Sequence, residues 1–186
     1  MHLLLVHVLL VATTQLQAAL TMSLRSKFTN VSYEYNTDYY MGMKSWLTAE
    51  GYLNTDVYVN RTLPATLRTA ITVQFQIENS LNYYTLFNYD VDTCKLLKDQ
   101  AKSSLPGVWI RNVRKYGNLS AICPMKAGYY DLRNFHLEDK SIPVYLRPGH
   151  YRLHDINYYG KNNANGNTKA KQRSLVSSIV LQMQLY

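Results

Sequence analysis

Cysteine is scarce: of 186 residues two are Cys, Cys94 in "DVDTCKLLK" and Cys123 in "AICPMKAGYY". That excludes a disulfide-dense small scaffold, and a zinc site closed by cysteines alone, which needs four ligands. Acidic residues are also few, 12 against 20 Lys and Arg, giving a formal net charge of +8. The carboxylates are scattered; Asp90 and Asp92 share a strand face and read as a solvated sheet end. G-x-S-x-G, H-E-x-x-H, P-loop and G-x-G-x-x-G patterns are all absent. Past the first twenty residues the histidines are His136, His150 and His154. His150 and His154 stand four apart inside a predicted strand, roughly 13 Å, too far for one metal. His154 and Asp155 are strand neighbours, so they point to opposite faces. No enzyme activity, catalytic residue, metal or cofactor is therefore expected.

The chain opens "MHLLLVHVLLVATTQLQAAL", apolar from Leu3 to Ala12, and its first acidic or basic residue is Arg25. Its apolar core is far shorter than the ~20 residues of a membrane-spanning helix. Small residues at Ala18 and Ala19 offer a cleavage site. Residues 1–19 are expected to be a secretory signal peptide and residues 20–186 a single domain. A secretory route is oxidising, so an even cysteine count predicts a Cys94–Cys123 disulfide. The sequons at Asn30 ("NVS"), Asn60 ("NRT") and Asn118 ("NLS") fit the same route and are candidate glycosylation sites. The expected location is extracellular.

In "ITVQFQIE", Ile71, Val73, Phe75 and Ile77 alternate with polar residues, the pattern of a strand with one buried face. "SIVLQMQL" repeats it, with Ile179, Leu181, Met183 and Leu185 on one side. Strands are also expected in "TDVYVN", "HYRLHDINYY", "KFTNVSYEY", "MKSWLTAE" and "YYDLRNFHL", punctuated by Gly51, Pro64, Gly128, Pro143 and Pro148-Gly149. Seventeen tyrosines suit strands. "LPGVWIRNVRKYGN" instead has apolar residues at helical spacing, with Pro106 in the first turn and Gly117 as the C′ residue. "KLLKDQA" adds one further turn. "GKNNANGNTKAKQR" reads as a polar loop between the last two strands. The fold class expected is all-β: an antiparallel sandwich with one short amphipathic helix.

The basic residues Arg111, Arg114 and Lys115 fall on one side of that helix. A secreted, tyrosine-rich chain without a binding signature is not expected to meet nucleic acid. The charge suits an anionic membrane surface, an anionic ligand or solubility. Against membrane docking, Trp109 and Val113 are expected to pack on the sheet.

Several stretches in order, "FTNV" (28–31), "NRT" (60–62), "DVDTCKLL" (90–97), "GNLSAICP" (117–124) and "IPVYLRPGHYRL" (142–153), resemble an insect secreted family of unknown function, DUF1091, related to the chemosensory CheB proteins. The resemblance covers nearly all of the expected domain. Many members carry two further cysteines in the first third; here "FTNVSYEY" and "MGMKSWLTAE" have none, and Cys94 and Cys123 map onto the remaining pair. The resemblance implies an immunoglobulin-like sandwich of the ganglioside-activator lipid-recognition (ML) type. Its two sheets would hold a lipid, hydrocarbon or pheromone-like ligand beside a membrane receptor or channel. On that expectation Ile71, Val73, Phe75 and Ile77 line the ligand, joined by Trp46, Phe87, Trp109 and Val113. The alternative is a secreted interaction protein with a solid core, acting on a receptor or other protein.

Overall fold

The computed structural model describes residues 24–78, 80–98, 105–119, 122–160 and 174–186. The expected leader and most of the polar loop after Gly160 lie outside the described residues. Eight strands are seen among those described: β1 (Ser26–Tyr35), β2 (Tyr40–Leu47), β3 (Leu53–Val59), β4 (Arg68–Gln76), β5 (Tyr83–Asp92), β6 (Gly128–Phe135), β7 (Gly149–Tyr159) and β8 (Ser174–Leu185). They form two antiparallel sheets, β1-β8-β7-β4-β5 and β2-β3-β6. The sheets face each other across an apolar interior, the sandwich expected of period-2 strands that each have one buried face.

β4 explains the larger sheet. Thr69, Ile71 and Val73 are buried on one face, and β4 pairs with β5 on one side and β7 on the other. The rows continue across β7 into β8, so that Val73, Leu153 and Leu181 stand side by side. Gly149, at the start of β7, lies against the Phe75 ring; a Cβ there would come within 2.7 Å of it. At the β1–β2 corner the chain turns on Asn36, whose Oδ1 accepts the Asp38 N–H at 2.8 Å.

Three expectations need correction. β4 ends at Gln76, so Ile77 lies beyond the strand and is exposed rather than inward. β5 was not among the strands expected. Its pairing with β4 slips between Val73 and Gln74, where Leu86 is the extra residue. That bulge flips the alternation: Phe87 opposes Val73, and Tyr84 opposes Phe75. Gly117 is not a left-handed helix cap. It bridges to Leu132, and a Cβ there would fall on the Asp131 carbonyl, so close backbone approach requires glycine.

Two helices follow β5: α1 (Thr93–Lys98) and α2 (Leu105–Val113). Asp92 caps α1, its Oδ1 accepting the Lys95 N–H at 2.8 Å. α2 starts at the expected proline turn and buries Pro106, Gly107, Trp109 and Asn112. The Trp109 indole N–H donates to the Ser141 carbonyl at 3.3 Å, which fixes the helix to the segment before β7. Cys94 and Cys123 form the expected disulfide, with Cα atoms 5.5 Å apart. No helix among the described residues is long and apolar enough to cross a membrane.

Candidate functional site

Between the sheets lies a cavity of about 300 Å³. Its floor comes from the large sheet: Ile71 of β4, Leu153 of β7, and Ile179 and Leu181 of β8. Leu53, Thr55 and Val57 of β3, with Leu132 and Phe135 of β6, form the roof. The helices close one side with Leu96 and Leu97 of α1, and with Trp109, Ile110 and Val113 of α2. Short side chains at facing positions create the space. Thr55, Thr69 and Thr93 all line it, and none is long enough to cross the ~10 Å between packed sheets.

Its lining is chiefly apolar, and polar side chains from the large sheet and α1 meet in one place. Asp155, Asn157, Thr69 and Thr93 gather at one end of the cavity. Thr69 Oγ1 donates to Asn157 Oδ1 at 2.8 Å, and Asn157 Nδ2 donates to Asp155 Oδ1 at 2.9 Å. Burial pushes the Asp155 carboxyl up to about 6, against the pull of the Asn157 amide. Asp155 is half-buried and lines the cavity.

The candidate lining residues divide. Ile71, Trp109 and Val113 line the cavity. Val73 is buried in the same cluster without lining it, and Phe87 packs at that cluster's edge beside Tyr89 and Tyr145. Phe75 packs at a tilt on the Tyr151 ring and, with Ile77, Pro148 and His150, borders a separate recess. Trp46 lies on the outer face of the small sheet, under the Lys44 ammonium at 5.3 Å and the Arg133 guanidinium at 5.6 Å. Strand parity puts its neighbour Ser45 inside instead, bonded to Thr55 at 3.0 Å.

Sequence reasoning missed the polar end. The signal was present in β7: Tyr151, Leu153, Asp155 and Asn157 share one face, and the apolar run on it breaks at Asp155. The basic residues just past the end of α2 are engaged with neighbouring groups. Lys115 pairs with Glu138 at 2.7 Å, and Arg114 Nε donates to the Leu119 carbonyl at 3.3 Å. The histidines stay apart: His136 meets the Tyr116 hydroxyl at 3.1 Å, and His154 meets Ser178 at 3.1 Å. Among the described residues no three His, Cys, Asp or Glu side chains gather as a metal site. Asn30, Asn60 and Asn118 are all exposed.

Residues 71–153 match the family model described as "Protein of unknown function (DUF1091)". That stretch runs from the middle of β4 into β7. It holds both cysteines, both helices and the lining residues Ile71, Trp109 and Val113. Asp155 and Asn157 lie just beyond it. No curated protein matches the chain.

Proposed function

We propose that this chain is a secreted, non-enzymatic binding protein for a small hydrophobic ligand held between its two sheets. The cavity carries this reading: it is apolar, lies inside the sandwich, and at about 300 Å³ reaches the lower end of ligand-pocket sizes. An empty apolar void of this size forfeits packing contacts, and an apolar occupant restores them. The cavity also weighs against a solid-core interaction protein. The DUF1091 resemblance adds the finer proposals of insect origin, a lipid-recognition fold of the ganglioside-activator type, and a chemosensory role beside a membrane receptor or channel. A cleaved leader over 1–19 and glycans at Asn30, Asn60 and Asn118 belong to the same proposal. The basic residues at the end of α2 and just after it, Arg111, Arg114 and Lys115, are the candidate contact for an anionic membrane surface.

The test is native mass spectrometry of the secreted protein, followed by organic extraction and lipid analysis. A near-stoichiometric lipid or hydrocarbon is the expected result. A clean apo mass, with no uptake from a lipid and hydrocarbon panel, would overturn the reading.

A further inference from the structure

The inner face of the large sheet changes chemistry along its length. Across β4, β7 and β8 the row Val73, Leu153, Leu181 is apolar. The next row is Ile71, Asp155, Ile179, and the one after it is Thr69, Asn157, Ser177. On the large-sheet side the cavity therefore has an aliphatic body and a polar end. The hydrogen bonds at that end have a direction. The Thr69 hydroxyl gives its single proton to Asn157, so the Thr93 hydroxyl, 2.8 Å from Thr69, must donate to Thr69. The chain runs Thr93 to Thr69 to Asn157 to Asp155 and ends on Asp155 Oδ1. Among the described residues that is the one hydrogen bond its carboxyl accepts, and no cation offsets its charge. Asp155 is half-buried and lines the cavity, and its Oδ2 accepts no hydrogen bond from the described residues, so it is an open acceptor for an occupant.

Resting on the carrier reading, we infer that the ligand is an amphiphile: an aliphatic chain ending in a neutral hydrogen-bond donor, a primary alcohol in the simplest case, whose O–H donates to Asp155 Oδ2. A hydroxyl needs one acceptor and brings no charge into the cavity. An ammonium brings three donors and its own desolvation penalty. A fatty carboxylate would set two anions together in an apolar enclosure, which disfavours it.

The experiment uses the full-length secreted protein at neutral pH. Decanol, decane, decanoate and decylamine compete against the fluorescent apolar probe N-phenylnaphthylamine. Decanol is expected to displace the probe well and decanoate poorly. In Asp155→Leu the preference for decanol over decane should fall about tenfold, the loss of one charge-assisted hydrogen bond. Asp155→Asn removes the charge and, with its carbonyl oxygen held by Asn157 Nδ2, turns an amide donor toward the ligand, so it should admit decanoate. An unchanged decanol-to-decane ratio in Asp155→Leu overturns the inference, as does decylamine outcompeting decanol. If Asp155→Leu fails to fold by circular dichroism, Asp155→Asn decides: continued exclusion of decanoate sinks the inference. A folded wild-type protein that takes up neither the probe nor any of the four fails the carrier reading itself.

Discussion

Among the described residues two hydrophobic clusters lie inside this protein, and they are built differently. One gathers Tyr40, Val59, Leu63, Leu67 and Val176; none of these touches the cavity. Tyrosines fill its margins, with Tyr39 against Tyr159 at 5.4 Å and Tyr35 edge-on to Tyr40 at 6.4 Å between ring centroids. The other gathers Phe28, Ile71, Trp109 and Leu181 around the cavity. Both are covered by β-strands rich in apolar residues. The difference lies in what reaches across the gap. Broad tyrosine rings close the first, whereas threonines and a half-satisfied carboxyl occupy the inner positions of the second. The five buried residues of the first pack away from the cavity, and the second surrounds it.

The disulfide joins the two, and breaking it should have the largest effect. Cys94 begins the α1 wall whose Leu96 and Leu97 line the cavity. Two residues past Cys123, Met125 packs on the solid cluster, and its carbonyl accepts the Leu63 N–H at 2.8 Å. The bridge spans a sequence separation of 29. Cys94→Ser/Cys123→Ser is expected to cost about 3–4 kcal/mol by loop-closure entropy. Denaturant titration reads that cost, and the variant should also lose probe uptake as the α1 wall loosens. Full uptake in the destabilised variant would separate the cavity from the bridge.

Next in size is the penalty carried by Asp155. Its carboxyl is raised from 3.8 to about 6 in the folded chain, so the ionised form is the one that folding disfavours. Well below pH 3.8 the group is protonated in both states and costs nothing. The penalty grows as pH rises through this window and is complete above about 6. It amounts to something on the order of 3 kcal/mol. Without ligand, Asp155→Asn should therefore be more stable than wild type at neutral pH, and the advantage should vanish in acid. Thermal melts of both proteins across that range measure it. A difference that stays flat with pH would mean that Asp155 is as well solvated as a surface carboxylate.

How much of this was legible in the sequence depends on parity. Where alternation was unbroken, as in β4 up to Phe75 and in β8, the inner faces followed directly from the residues. The helix at Trp109 and the disulfide were equally readable, one from spacing and the other from an even cysteine count and an expected secretory route. Alternation misled where the chain slips: the bulge at Leu86 hid β5, and a one-residue difference in register put Ser45 inside and Trp46 outside. The cavity itself had no signature in the sequence. It arises because Thr55, Thr69 and Thr93, far apart in the chain, are brought to one space by folding. Only the break at Asp155 in the apolar run of β7 marked where its polar end would be.

The smallest effect gives the sharpest contrast between the clusters. Leu63 is 1% exposed in the solid cluster, and Leu63→Ala should open a new void there at a cost of about 3 kcal/mol. Val113 is half-buried and already faces empty space, so Val113→Ala removes two methyl groups with few partners and should cost about 1 kcal/mol. The gap of about 2 kcal/mol between the two variants, read from denaturant midpoints at constant slope, is the mechanical signature of a hollow core. A saturating ligand should widen the penalty at Val113, because the deleted methyls then lose contacts with the occupant, and leave the Leu63 penalty where it was. Equal penalties without ligand would mean that the α2 wall closes onto the sheet in solution, and the cavity would then exist only when something fills it.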